Sequence, residues 1–143
     1  MRRFFLPYAA ALLVAATLHA APSDDEVSAR RLALEVAGAF TNEGFKLRDG
    51  NWCGVLEVGK PKVIQVNLYA GNQYWFTLGS VAAAKKLQVT IYDEAGKALE
   101  VDPFQDTSVA AAGFSPETSG SYYVKVEELE GTKAAFCLIY SYK

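Results

Sequence analysis

Residues 64–78 read Ile64-Gln65-Val66-Asn67-Leu68-Tyr69-Ala70-Gly71-Asn72-Gln73-Tyr74-Trp75-Phe76-Thr77-Leu78. In the first half Ile64, Val66 and Leu68 alternate with Gln65 and Asn67. In the second, Tyr74, Phe76 and Leu78 alternate with Gln73, Trp75 and Thr77. Successive side chains of a strand point to opposite faces, so a period of two marks strands with one dry face and one wet face. Ala70-Gly71-Asn72 between them is a turn signal.

The same period recurs downstream. Leu87, Val89 and Ile91 alternate with Gln88 and Thr90, and Tyr122, Val124 and Val126 alternate with Tyr123 and Lys125. Phe136, Leu138, Tyr140 and Tyr142 share a face of a last strand. Further turns fall at Gly59-Lys60-Pro61, Asp93-Glu94-Ala95-Gly96, Ser119-Gly120 and Glu130-Gly131. About seven to nine short strands at this spacing predict an all-β antiparallel sandwich. Val81–Lys86 and Thr107–Ala112 carry the least pattern and read as long loops.

Upstream the period changes to that of a helix. Ser23-Asp24-Asp25-Glu26 fits a capping box, and its carboxylates suit the positive end of a helix dipole. Ala29, Leu32, Ala33, Val36 and Phe40 then form one apolar stripe, which Thr41-Asn42-Glu43-Gly44 ends. The stripe predicts one α-helix over residues 23–40, docked on a sheet face or an open end of the sheets.

Residues 1–20 read as a cleaved signal peptide: Arg2 and Arg3, an apolar run from Phe4 to Leu18, and small residues at Ala20-Ala21. Arg2-Arg3-Phe4-Phe5-Leu6 also resembles the twin-arginine export pattern, leaving the export route open. The run is too short, with Pro7 inside it, for a membrane span. The expected organisation is residues 1–20 signal, 21–44 helix and linker, and 45–143 sandwich. Export places the mature protein in the periplasm or outside the cell, where Cys53 and Cys137 pair.

Removing residues 1–20 leaves 12 basic and 16 acidic side chains and no histidine. Histidine-dependent catalysis and histidine-ligated zinc are excluded for that mature chain. A net acidic domain is also a poor nucleic-acid binder, because phosphate neutralisation needs clustered Lys and Arg.

The order of turns and strands resembles the bacterial pre-peptidase C-terminal domain family. Residues 66–78 are similar to its "v-l-x-aGq-x-Y-x-f-x-l" stretch, and Leu87–Lys97 to its "l-x-l-x-l-y-D-x-x-G" hairpin. Phe114–Val126 resembles "f-x-p-x-x-s-G-x-Y-y-v-x-V", and Phe136–Tyr140 the closing strand. The likeness covers residues 45–143. It implies a jelly-roll-like sandwich, non-catalytic and appended to exported enzymes, with relatives that bind collagen or calcium. Lys85-Lys86 departs from the pattern where the family often carries an acidic residue.

Several side chains are candidate sites. Trp75 and Tyr123 fall opposite in face to their core neighbours, so both are expected to point outward; with Tyr92 they are the candidate binding residues. Exposed aromatic rings stack on sugars or pack on fibrous proteins. The competing reading buries them under the helix. Trp52 is expected to pack beside the disulfide. Calcium takes about six to eight oxygen ligands, for which Asp24, Asp25 and Glu26 are one candidate group and Asp93, Asp102 and Asp106 another. No cofactor is otherwise implied. Carboxylates alone remain for acid–base chemistry, and Glu57 with Glu127 or Glu128 fits by residue type.

The expected function is a non-catalytic exported module that recognises an extracellular polymer or protein. The alternative is an envelope-assembly, protease-associated or inhibitor-like partner of another exported protein, with the helix as a detachable cover. A carboxylate-dependent hydrolase is the third reading.

Overall fold

The computed structural model describes residues 21–143. The expected signal peptide lies outside the described residues. No helix among them is long and apolar enough to cross a membrane.

One helix and nine strands follow in order: α1 (Asp24–Thr41), β1 (Lys46–Leu47), β2 (Trp52–Leu56), β3 (Lys62–Leu68), β4 (Tyr74–Ser80), β5 (Ala84–Tyr92), β6 (Asp102–Asp106), β7 (Val109–Phe114), β8 (Gly120–Gly131) and β9 (Ala134–Tyr142). All pairings are antiparallel. The larger sheet runs β1-β9-β4-β7-β6, with β2 also on β9, and the smaller runs β3-β8-β5. From β2 onward every connection except the β6–β7 hairpin crosses to the other sheet, which is a jelly-roll-like winding. The inward faces meet in one core built from Leu56, Leu68, Phe76, Leu78, Leu87, Ile91, Val124, Val126 and Leu138.

The alternating runs form the strands the sequence predicts, whereas the two segments read as loops do not stay loops. Ala84–Lys86 opens β5, and Val109–Phe114 is β7, an inner strand of the larger sheet. Alternation fails there because residues 109–113 are buried on both faces, inward in the core and outward beneath other side chains. Small residues are required at this strand: a side chain at Gly113 would meet the Trp75 ring at 2.9 Å.

Helix α1 covers the outer face of the larger sheet, chiefly over β4 and β9. The Ser23 hydroxyl accepts from Glu26 N–H at 3.2 Å, so the predicted N-cap forms. The buried side of the helix differs from the expected stripe. Ala29, Ala33 and Ala37 are the buried residues, while Leu32, Val36 and Phe40 are only half-buried. The reason is the closeness of helix and sheet. A Cβ on Gly79 of β4 would stand 2.4 Å from the Ala29 carbonyl oxygen and 2.8 Å from the Ala33 nitrogen. Larger side chains are displaced to the flanks of such a contact.

Cys53 and Cys137 are directly opposed on β2 and β9 and joined by a disulfide. The Cys137 sulfur lies 3.5 Å from the Glu26 carbonyl oxygen, under the first turns of α1. Trp52 is not beside this bond. Its neighbour in sequence faces outward, so Trp52 faces inward, stacked on Tyr140 with ring centroids 5.9 Å apart. Arg48 sits over both rings.

Candidate functional site: the open face of the smaller sheet

The two sheets treat their outer faces differently. On the larger sheet α1 occupies the centre. There Phe40 lies flat on Trp75, with centroids 4.3 Å apart and planes 6° from parallel. Trp75 points outward from its sheet as its position in the alternation requires, yet its ring face is taken by the helix. Its placement is that of a packing residue.

Among the described residues, no element covers the outer face of the smaller sheet in this way. Its outward side chains form cross-strand rows fixed by register. Gln65, Tyr123 and Tyr92 stand side by side across β3, β8 and β5, and Val63, Lys125 and Thr90 form the next row. Asn67 and Ser121 extend the face at one end, and Glu127 with Gln88 at the other. All of these side chains are exposed or half-buried, with Val63 at 59% exposure.

Hydrogen bonds and charge order this surface. Gln65 Nε2 donates to the Ser121 hydroxyl at 3.3 Å, and Ser121 donates to Asn67 Oδ1 at 3.2 Å. Lys125 bonds Glu127 at 2.9 Å and sits 5.6 Å from the centre of the Tyr92 ring. The Glu127 carboxylate first, and then the Tyr92 hydroxyl, hold the Lys125 ammonium above the usual lysine range. Two tyrosine faces flanked by amides and hydroxyls offer ring stacking with directional hydrogen bonds beside it.

The other candidates separate in space. Asp24, Asp25 and Glu26 occupy the first turn of α1. Asp93 caps its own hairpin by accepting from Lys97 N–H at 2.9 Å. Asp102 and Asp106 lie at opposite ends of β6, where Asp106 accepts from Thr107 N–H at 2.7 Å. Among the described residues, no three acidic, histidine or cysteine side chains converge as a metal site.

Glu127 and Glu128 project to opposite faces. Glu57 pairs with Lys60 at 2.8 Å and Lys133 at 3.6 Å, and these partners, Lys60 before Lys133, keep its carboxyl below the usual range. Glu128 is 1% exposed, and among the described residues neither carboxylate oxygen has a hydrogen-bond partner. Burial first, and the Glu57 charge second, push its carboxyl up. A group so enclosed is out of a substrate's reach.

Sequence reading picked out Tyr92 and Tyr123 but passed over Gln65, Gln88, Thr90 and Lys125. The signal for them was present as the polar half of alternations already recognised. What it lacked was register, which decides who stands beside whom. No protein-family model matches the chain, and no curated protein matches it.

Proposed function

We propose that the protein is a non-catalytic, exported β-sandwich module of the pre-peptidase C-terminal type. Its smaller sheet binds an extracellular polymer across the open face. The observation that carries this reading is the row Gln65–Tyr123–Tyr92 on a sheet face that no other described element covers. A flat, aromatic and amide-bearing surface suits the ring faces and hydroxyls of a polysaccharide or the ridges of a fibrous protein. The absence of histidine after Ala20 and the enclosure of Glu128 support a binding role over hydrolysis.

The test is co-sedimentation of the full chain, exported into an oxidising compartment, with collagen, chitin, cellulose and peptidoglycan, each with calcium and with chelator. Saturable binding to one polymer is expected, lost when Tyr92 and Tyr123 are both changed to alanine while Tm stays within about 2 °C. Binding that survives the double substitution, or no binding to any of the four, refutes the proposal. Loss of binding on chelation would direct attention back to calcium.

A further inference from the structure

Two side-chain amides on the outer face of the smaller sheet are held in place without being used up. Gln65 Nε2 donates to the Ser121 hydroxyl at 3.3 Å, and that hydroxyl donates to Asn67 Oδ1 at 3.2 Å. A hydroxyl has a single proton, so the chain runs one way and leaves its ends open. Gln65 Oε1, an acceptor, and Asn67 Nδ2, a donor, have no partner among the described residues. Both amides flank one aromatic ring: Gln65 directly opposes Tyr123, and Asn67 is its diagonal neighbour. Among the described residues, no other ring and no cation is stacked on Tyr123, whereas the Lys125 ammonium already lies 5.6 Å over Tyr92.

Charge is balanced across this face. Lys125 is paired with Glu127 at 2.9 Å, and Lys86 opposes Glu130 in the ladder. The outward residues from Val63 to Asn67, from Ser121 to Tyr123 and from Gln88 to Tyr92 are all uncharged. Lys62 opposes the core residue Val126 and so belongs to the inner face. At the rim, the hairpin after β5 brings Asp93 and Glu94 together with Lys97. A polyanion or polycation gains a counter-charge here only by breaking the Lys125–Glu127 pair, and a neutral polymer has no need to.

We infer that the polymer taken by this face is a neutral polysaccharide of flat, equatorially hydroxylated rings. One sugar ring lies on Tyr123, its apolar C–H face against the aromatic face. Equatorial hydroxyls radiate from the edge of such a ring and both donate and accept, so they meet the open Gln65 carbonyl and the open Asn67 N–H together. Tyr92, with Lys125 upon it, borders the ring on the far side. A fibrous protein docks through side chains, many of them charged, and finds no free counter-charge in these rows. This inference rests on the reading of the smaller sheet as a binding face and names the chemistry of what it binds.

The full chain, exported and oxidised, is titrated by calorimetry and amide NMR with β-linked hexasaccharides of glucose, N-acetylglucosamine and xylose, with a galacturonate hexasaccharide, and with soluble collagen. Binding of a neutral hexasaccharide is expected, with shifts centred on Gln65, Asn67, Ser121 and Tyr123. Raising salt from about 0.05 to about 0.5 M, which screens charged contacts, should leave Kd within about twofold. Asn67→Asp still accepts from Ser121 but loses the open donor, and should weaken binding about tenfold; Tyr123→Ala should weaken it at least as much. Preference for the galacturonate, a Kd that rises steeply with salt, or indifference to Asn67→Asp would overturn the inference. Collagen binding that needs Tyr92 and Tyr123, with no neutral sugar bound, would overturn it while leaving the binding face standing. Shifts centred outside the smaller sheet, or no ligand bound at all, would overturn both.

Discussion

Replacing Gly79 by alanine tests whether α1 is integral to the fold. The added Cβ would lie 2.4 Å from the Ala29 carbonyl oxygen and 2.8 Å from the Ala33 nitrogen, both backbone atoms of the helix. Ordinary contact begins near 3.4 Å, so the helix must retreat by about 1 Å. Strand backbone cannot yield easily, because β4 is paired on both sides, to β7 and β9. Overpacking of this kind costs about 1–3 kcal/mol. Retreat also loosens the Phe40–Trp75 stack, and such aromatic pairs contribute about 0.5–1.5 kcal/mol beyond their buried area.

Gly38 provides the contrast. It lies in the same helix with nothing within 4 Å of a Cβ, so Gly38→Ala should stabilise by about 0.5–1 kcal/mol through helix propensity. Urea titrations followed by tryptophan fluorescence measure both. A Gly79→Ala midpoint unchanged from wild type would refute the close-docked helix, as would equal effects of the two substitutions. A detachable cover predicts the first of those results, since a strained cover would simply leave.

Other expectations concern buried polar groups and the crosslink. Glu128 has a folded-state pKa raised by burial, so its neutral form is the one the fold prefers. Its favourable linkage is complete below the unfolded carboxyl value and is lost as pH rises through the raised folded value; Glu128→Leu should flatten that decline and stabilise by about 1–3 kcal/mol at neutral pH, read from melts across pH. Thr77 Oγ1 is buried and has no partner among the described residues, so Thr77→Val should be neutral or stabilising by about 1 kcal/mol; a clear loss in denaturant titration would mean the hydroxyl is satisfied. Replacing both Cys53 and Cys137 by serine removes a link across 84 residues and should lower stability by about 2–5 kcal/mol, read as a Tm drop; an unchanged Tm would refute the staple.

Much of this architecture was legible in the chain because half-buried strands write their orientation as alternation. β3, β5 and β8 each have a wet side that exposes the period, while β4 and β9, buried nearly throughout, show it through large inward side chains, Tyr74, Phe76 and Leu78 in one and Phe136, Leu138 and Tyr140 in the other. β7 has neither. Its Ala110-Ala111-Ala112-Gly113 is covered on both sides, and a segment covered on both sides needs small size, not alternation. The helix announced its start through Ser23, but its alanine seat reflects the distance to Gly79, a contact between residues 29–33 and 79 that no local pattern encodes.

The candidate site divides along the same line. Sequence alone determined that Trp75 and Tyr123 point away from the core neighbours of their own strands. It also fixed that the chain has two cysteines, 84 residues apart, and no histidine beyond His19. Only the tertiary structure decided what lies beyond each outward face. Trp75 looks into α1 and stacks on Phe40, while Tyr123 stands beside Tyr92 on the sheet that the helix leaves bare. The physical reason is that alternation reports which side of its own strand a residue occupies. Whether that side meets water or another element depends on the long-range docking of α1 and on strand register, and both are set by packing between distant parts of the chain.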